Sequence, residues 1–144
     1  MSEKKTILFL CTHNAARSQM AEGYMRAKYG DQYEVFSAGT ELGTVSTMAI
    51  ELMTEIGIDI SHQRSKPLEE FTGKEIDTVV TLCDSARENC PFFPGMHRIM
   101  HESFNDPAEL TGTDEEIRSG FRLIRNEITR WIDTTFAGKK NRYG

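Results

Sequence analysis

Ile7-Leu8-Phe9-Leu10-Cys11-Thr12-His13-Asn14-Ala15-Ala16-Arg17-Ser18-Gln19-Met20-Ala21-Glu22 joins a short apolar run to a stretch of helix formers. Ile7 to Leu10 is continuous rather than alternating, as in a strand covered on both faces. The eight residues Cys11 to Ser18 then form a loop between that strand and a helix over 18 to 29, ended near Gly30. Such a loop is suited to a tetrahedral oxyanion. The first N–H groups of a helix are free to point at an anion, and the macrodipole favours negative charge there. Arg17 adds parallel charged hydrogen bonds. The same field favours the thiolate of Cys11, and Ser18 can donate a further hydrogen bond to its sulfur. A Cys-x5-Arg pair alone would fit a buried cysteine and a surface arginine equally well. The flanking strand and helix are what favour the anion site.

Outward from this loop the chain alternates strands and helices, without linker, repeat or low-complexity segment. Tyr33 to Ser37 reads as a second strand. Ala49, Leu52, Met53 and Ile56 fall on one helical face, with Gly57 as the stop. Ile76 to Leu82 is a third strand, and His97 to Met100 a weaker fourth. Thr113 and Glu116 form a capping box, after which Ile117, Phe121, Ile124, Ile128, Trp131 and Thr135 keep helical spacing. The β-α-β-α order predicts one domain over residues 1 to 144: an α/β fold with a doubly wound parallel sheet and helices on both faces. The Cys11 loop then lies at the carboxyl end of a strand, where such sheets bind ligands.

With 144 residues the chain can bury a substantial core. Its 17 basic and 22 acidic side chains leave a net charge of −5, which argues against a nucleic-acid surface and gives no basic footprint for a membrane. No long apolar segment or signal-like stretch follows Met1, so a cytoplasmic protein is expected. Three cysteines disfavour a static disulfide framework, and thiols in that compartment are reduced or catalytic.

The opening loop, continued by Gln19-Met20-Ala21-Glu22-Gly23, resembles that of the low-molecular-weight tyrosine phosphatase fold family, and within it the thioredoxin-coupled arsenate reductases. Ser37-Ala38-Gly39, Gly57-Ile58-Asp59-Ile60-Ser61, Val79-Val80-Thr81-Leu82-Cys83 and Asp106-Pro107 recur in the order the resemblance requires, over nearly the whole chain. The segment Cys83-Asp-Ser-Ala-Arg-Glu-Asn-Cys90-Pro91 separates the two groups, because its spaced cysteines look like the redox pair of the reductases and have no role in a phosphatase.

The resemblance implies catalytic roles for Cys11, Cys83, Cys90, Arg17 and Asp106, and an oxyanion loop of Thr12, His13, Asn14, Ala15, Ala16, Arg17 and Ser18. It implies a four-stranded parallel sheet in the order 2-1-3-4, arsenate as substrate, a Cys11–Cys83 disulfide followed by a Cys83–Cys90 disulfide, and thioredoxin as reductant. A monomer without metal or cofactor is expected. Asp106 would be the general acid, although Asn-Asp-Pro is also an ordinary turn signal. Asn14 would brace the loop. Three other functions remain open on the residues: a phosphatase acting through a phosphocysteine, a phosphoprotein-binding module, and a redox sensor.

A helix over 84 to 90 would hold the two cysteines ~10 Å apart along its axis, whereas a disulfide needs Cα atoms within about 7 Å. The segment must unwind for the pair to join, and Pro91 and Pro94 leave it weakly anchored. His97 and His101 have i,i+4 spacing but read as strand and loop with no carboxylate between them, so zinc is not expected. Departures from the family pattern are His13, where glycine is frequent; Thr40 to Ala49, which lacks prolines; and Ala108-Glu109, which replaces a tyrosine-bearing segment. In relatives that bind potassium the ligands resemble Asn14, Glu22 and Ser37 with an acidic side chain in the turn. Here the turn carries Ser65-Lys66, and the Lys66 ammonium is expected in the cation's place.

Overall fold

The computed structural model describes residues 4–41 and 43–137. In these the element order is β1 (Lys5–Cys11), α1 (Arg17–Tyr29), β2 (Tyr33–Gly39), α2 (Thr47–Thr54), β3 (Thr78–Thr81), α3 (Asp84–Glu88), β4 (Arg98–His101) and α4 (Asp114–Ile132). The four strands form one parallel sheet in the order β2-β1-β3-β4. Parallel neighbours need long crossovers, and α1 and α2 with the segment following it supply the first two.

β1 lies at the centre, and Ile7 to Cys11 are buried without alternation because both faces of the strand are covered. α1 contributes Met20, Ala21 and Met25 to the core, α2 contributes Ala49, Leu52 and Met53, and α4 contributes Phe121, Ile124 and Ile128. The capping box expected at the start of α4 is present: Thr113 Oγ1 accepts from the Glu116 N–H at 3.1 Å, and Glu116 Oε1 accepts from the Thr113 N–H at 2.9 Å. Among the described residues no helix is long and apolar enough to cross a membrane.

Several boundaries differ from the sequence reading; β1 extends beyond Ile7 to Leu10 at both ends, over Lys5–Cys11, and β4 lies one residue later, at Arg98–His101. β2 runs on to Gly39, because Ala38 and Gly39 pair with Leu10 and Cys11. β3 is shorter than 76 to 82. Ile76 and Leu82 are buried but lie outside the strand, since Ile76 N–H bonds Pro94 O and the chain after Leu82 turns into α3. Ile56 lies beyond the end of α2 and is 39% exposed, because the helix stops at Thr54 and closes through a turn to Gly57 at φ +83°. Thr135 does not continue the buried face of α4. A π-turn over Asp133–Ala137 shifts the register, and Ile132 and Phe136 are buried instead.

Candidate active site

Cys11 ends β1 and Arg17 begins α1, so the loop between them opens at the carboxyl edge of the sheet. The shape of this loop depends on two backbone features. Asn14 adopts φ +53°, a left-handed conformation that Asn tolerates better than most residues. Gly39 lies underneath, where a Cβ would stand 2.6 Å from Thr12 O and 2.8 Å from Asn14 N. Only glycine fits so close a backbone approach. Three further backbone bonds hold Thr40, Glu41 and Ser46 along the loop: Thr40 N–H to Cys11 O (3.1 Å), Glu41 N–H to Thr12 O (2.8 Å) and Ser46 N–H to Ala15 O (2.8 Å).

The loop walls a cavity of about 140 Å³. Of the residues expected to meet the anion, Cys11, His13, Ala15, Ala16 and Arg17 line this cavity, and Asp106 faces it from the loop after β4. Thr12, Asn14 and Ser18 do not line it. They lie behind or beside it and hold the residues that do. Ala16, at the N-cap of α1, has no side-chain cap, so the first amides of the helix are left for a ligand. The Arg17 side chain is only 7% exposed; its Nη1–H donates to Phe104 O at 3.2 Å, and Nη2 stands 3.6 Å from Asp106 Oδ2. Cys11 Sγ lies 2.9 Å from Ser18 Oγ. Asp106 serves a turn as well, since Oδ1 accepts from the Ala108 N–H at 2.9 Å while Oδ2 faces Arg17. Asn-Asp-Pro thus forms the turn its sequence signals, with Asp106 facing the cavity.

Asn14 is completely buried and uses its whole amide. Nδ2 donates to Ser18 Oγ (2.6 Å) and Ser37 Oγ (2.9 Å), and Oδ1 accepts from Gln19 Nε2 (2.9 Å) and the Lys66 N–H (2.8 Å). The brace expected is through side-chain to backbone bonds; three of these four partners are side chains, and only the Lys66 N–H is backbone. Behind it Ser37 donates to Glu22, and the Lys66 ammonium, buried with 10% of its side chain exposed, stands 3.5 Å from both Glu22 Oε1 and Ser37 Oγ. Lys66 Nζ also donates to Arg64 O at 2.8 Å. The Lys66 ammonium thus stands beside Ser37 and Glu22, where an additional potassium ion would meet a like charge. Burial pulls the Lys66 pKa below its ordinary value, with the Glu22 carboxylate opposing that shift.

The other two cysteines lie on the same side of the sheet's end. Cys83 is the N-cap of α3, buried, with Sγ 3.3 Å from Thr12 Oγ1. α3 comprises only five residues, Asp84–Glu88, so the helix stops short of Cys90. Cys90 is half-buried; burial pushes its thiol above the ordinary value, and Sγ contacts Pro91 O at 3.4 Å. None of the three cysteines is joined in a disulfide. The two histidines with i,i+4 spacing have separate partners, His97 near Asp77 (3.6 Å) and His101 near Asp84 (3.2 Å).

The family model of the low molecular weight phosphotyrosine protein phosphatases matches residues 6–134. The chain belongs to that family. Within it, an arsenate reductase of Halalkalibacterium halodurans is 47% identical over 131 residues, covering 91% of this chain and 94% of its own. A solved arsenate reductase in its reduced state superposes with a TM-score of 0.75 at 30% identity, over 93% of this chain and 98% of that one. A thioredoxin-dependent arsenate reductase of Corynebacterium glutamicum superposes with a TM-score of 0.63 at 29% identity, over 93% of this chain and 64% of that longer one.

Several residues of this family site were not visible in the sequence. Ser46 and Phe121 line the cavity from α2's N-cap and from α4. Their distance along the chain hides them, although Ser46 carries an N-cap signal, accepting from the Ala49 N–H at 3.2 Å. Gln19 is completely buried, bonding Asn14 O, Arg64 O and Gln63. A glutamine facing inward from the first turn of a helix was the available signal.

Proposed function

We propose that this protein reduces arsenate to arsenite through Cys11, Cys83 and Cys90, with a thioredoxin as the final reductant. The observation that carries the reading is the Thr12 hydroxyl. It belongs to the anion loop, yet its side chain touches the sulfur of Cys83 at 3.3 Å. A phosphatase has no use for a second thiol at that place.

Arsenate matches phosphate in shape and charge, so the helix amides and Arg17 would hold its oxygens. The Cys11 thiolate attacks arsenic and an oxygen leaves as water, protonated by Asp106, whose contact with Arg17 holds it at the cavity. The Cys83 thiolate next attacks Cys11 Sγ. The S–As bond breaks, its electron pair stays on arsenic, arsenic(V) becomes arsenic(III), and arsenite departs as the Cys11–Cys83 disulfide forms. Cys90 then attacks Cys83 Sγ, and Cys11 leaves as a thiolate. This exchange has no net redox change. A thioredoxin dithiol reduces the Cys83–Cys90 disulfide and returns the three thiols.

The raised pKa of Cys90 fits its place as the last thiol. Burial disfavours its thiolate, and exposure as its segment opens would relieve that. The runner-up reading is phosphomonoester hydrolysis through a phosphocysteine at Cys11, which the same cavity permits. Steady-state arsenite production with thioredoxin, thioredoxin reductase and NADPH, compared with hydrolysis of a small aryl phosphate, distinguishes the two. The reading also implies a protein acting in the reducing cytoplasm, as a monomer without cofactor.

A further inference from the structure

His101 ends β4, and its ring spans two residues that flank Cys83 in the chain. Nδ1 lies 2.7 Å from Thr81 Oγ1, and Nε2 lies 3.2 Å from Asp84 Oδ1. A neutral ring protonated on Nε2 satisfies both contacts, accepting from the threonine hydroxyl and donating to the carboxylate. The two partners differ in burial. Thr81 is completely buried in β3, paired with Leu10 and with His101 itself. Asp84 is the first residue of α3, with its side chain 66% exposed.

α3 is too short to persist through its own hydrogen bonds. The Cys83 side chain gives it no cap, and Asp84's other ionic partner, Arg87 at 3.7 Å, belongs to the same helix. The His101 ring therefore ties the first turn of α3 to the sheet edge. The relay proposed above, on which this inference rests, uses Cys83 twice in two places. First its sulfur attacks Cys11 Sγ, forming Cys11–Cys83 as the S–As bond breaks toward arsenic. Then Cys90 attacks Cys83 Sγ, forming Cys83–Cys90 and releasing Cys11 as a thiolate. The first exchange needs Cys83 held beside Thr12, and the second needs α3 to come apart.

We propose that His101 is a positioning residue for Cys83: by holding Asp84 against the ends of β3 and β4 it favours the first disulfide exchange and restrains the second. The imidazole touches neither arsenic nor a reacting sulfur. It acts through the backbone between residues 81 and 84.

The test is single-turnover quench of the reduced full-length protein mixed with arsenate, with alkylation of free thiols and mass mapping of each disulfide over time. His101→Ala is expected to slow Cys11–Cys83 formation by about tenfold, the scale of one hydrogen bond to a charged group, while conversion to Cys83–Cys90 becomes no slower. His101→Gln, which keeps an N–H donor near the Nε2 position, should restore the first step most of the way. Asp84→Ala should reproduce His101→Ala, and the double variant should add little to either. Hydrolysis of an aryl phosphate should be unchanged in all of them, which shows that the loop is folded. Equal slowing of both exchanges, no change in either, or identical behaviour of the Ala and Gln variants would overturn the inference. If the unmodified protein forms no Cys11–Cys83 disulfide with arsenate, the relay itself is wrong and this role falls with it. If that disulfide forms normally and the variants do not alter the partition, the relay stands and the role of His101 does not.

Discussion

Thr12 Oγ1 lies 3.3 Å from Cys83 Sγ, so the residue that follows the nucleophile along the chain touches the thiol that would discharge it. A hydroxyl there can donate to a thiolate. Thr12→Val keeps the shape and removes the donor, and it should slow arsenite release in a single turnover by about tenfold, the value of one hydrogen bond. Aryl phosphate hydrolysis, measured on the same sample, should fall by much less, because Thr12 does not line the cavity.

The thiols should divide their labour. Cys11→Ser should abolish arsenate reduction and any aryl phosphate hydrolysis together, since both need the nucleophile. Cys83→Ser should prevent arsenite release, and Cys90→Ser should stop the protein at the Cys11–Cys83 disulfide. Either of these two should still hydrolyse aryl phosphate, because water alone resolves a phosphocysteine. Loss of hydrolysis in a folded Cys83→Ser or Cys90→Ser protein would contradict this division.

Oxidation should loosen one segment selectively. Joining Cys83 to Cys90 across α3 is expected to open that helix, so amide exchange across residues 84 to 95 should rise on oxidation while Ile7 to Leu10 stay protected. Peptide-resolved hydrogen exchange of the reduced and oxidised protein measures this. Equal protection in both states, with the disulfide mapped, would rule out the opening.

Lys66 should make the protein indifferent to potassium. Its ammonium stands 3.5 Å from Glu22 Oε1 behind the loop, so replacing potassium by sodium at constant ionic strength should leave activity and Tm nearly unchanged. Lys66→Asp removes that cation and adds a carboxylate, and should create a potassium-dependent rise in Tm.

Acid sensitivity should report the contact between α2 and α4. Hydrogen bonds from Arg122 and then Arg125 lower the Glu55 pKa to about 2 from an ordinary 4.5. A carboxylate depressed on folding contributes stability that is fully present above its unfolded value and lost as pH falls from 4.5 through about 2. Glu55→Gln should flatten the dependence of Tm on pH in that window and leave activity at neutral pH little changed. Glu55 is exposed, so added salt should shrink the difference.

What could be read in the sequence was what repeats locally. The β1 run, the loop and the start of α1 are contiguous, so strand, anion site and helix could be placed together from residues 7 to 29. The parallel α/β class followed from short alternating elements, and the sheet order from the family resemblance. Ile56 and Thr135 were misplaced because periodicity does not show where a helix stops or where a π-turn changes its register. Ser46 and Phe121 reach the cavity from remote elements, and nothing in their neighbourhoods announces it. The loop residues Thr12, Asn14 and Ser18 looked alike in sequence, and only the folded chain separates those that face the cavity from those that support it.

The most direct test of the central claim is one turnover without any reductant. Reduced protein mixed with excess arsenate alone should release one arsenite per chain and then stop, with Cys83 and Cys90 joined and Cys11 free; thioredoxin, thioredoxin reductase and NADPH should restart it. No arsenite and three free thiols after that incubation, alongside active hydrolysis of an aryl phosphate, would contradict the account and leave a phosphatase in its place.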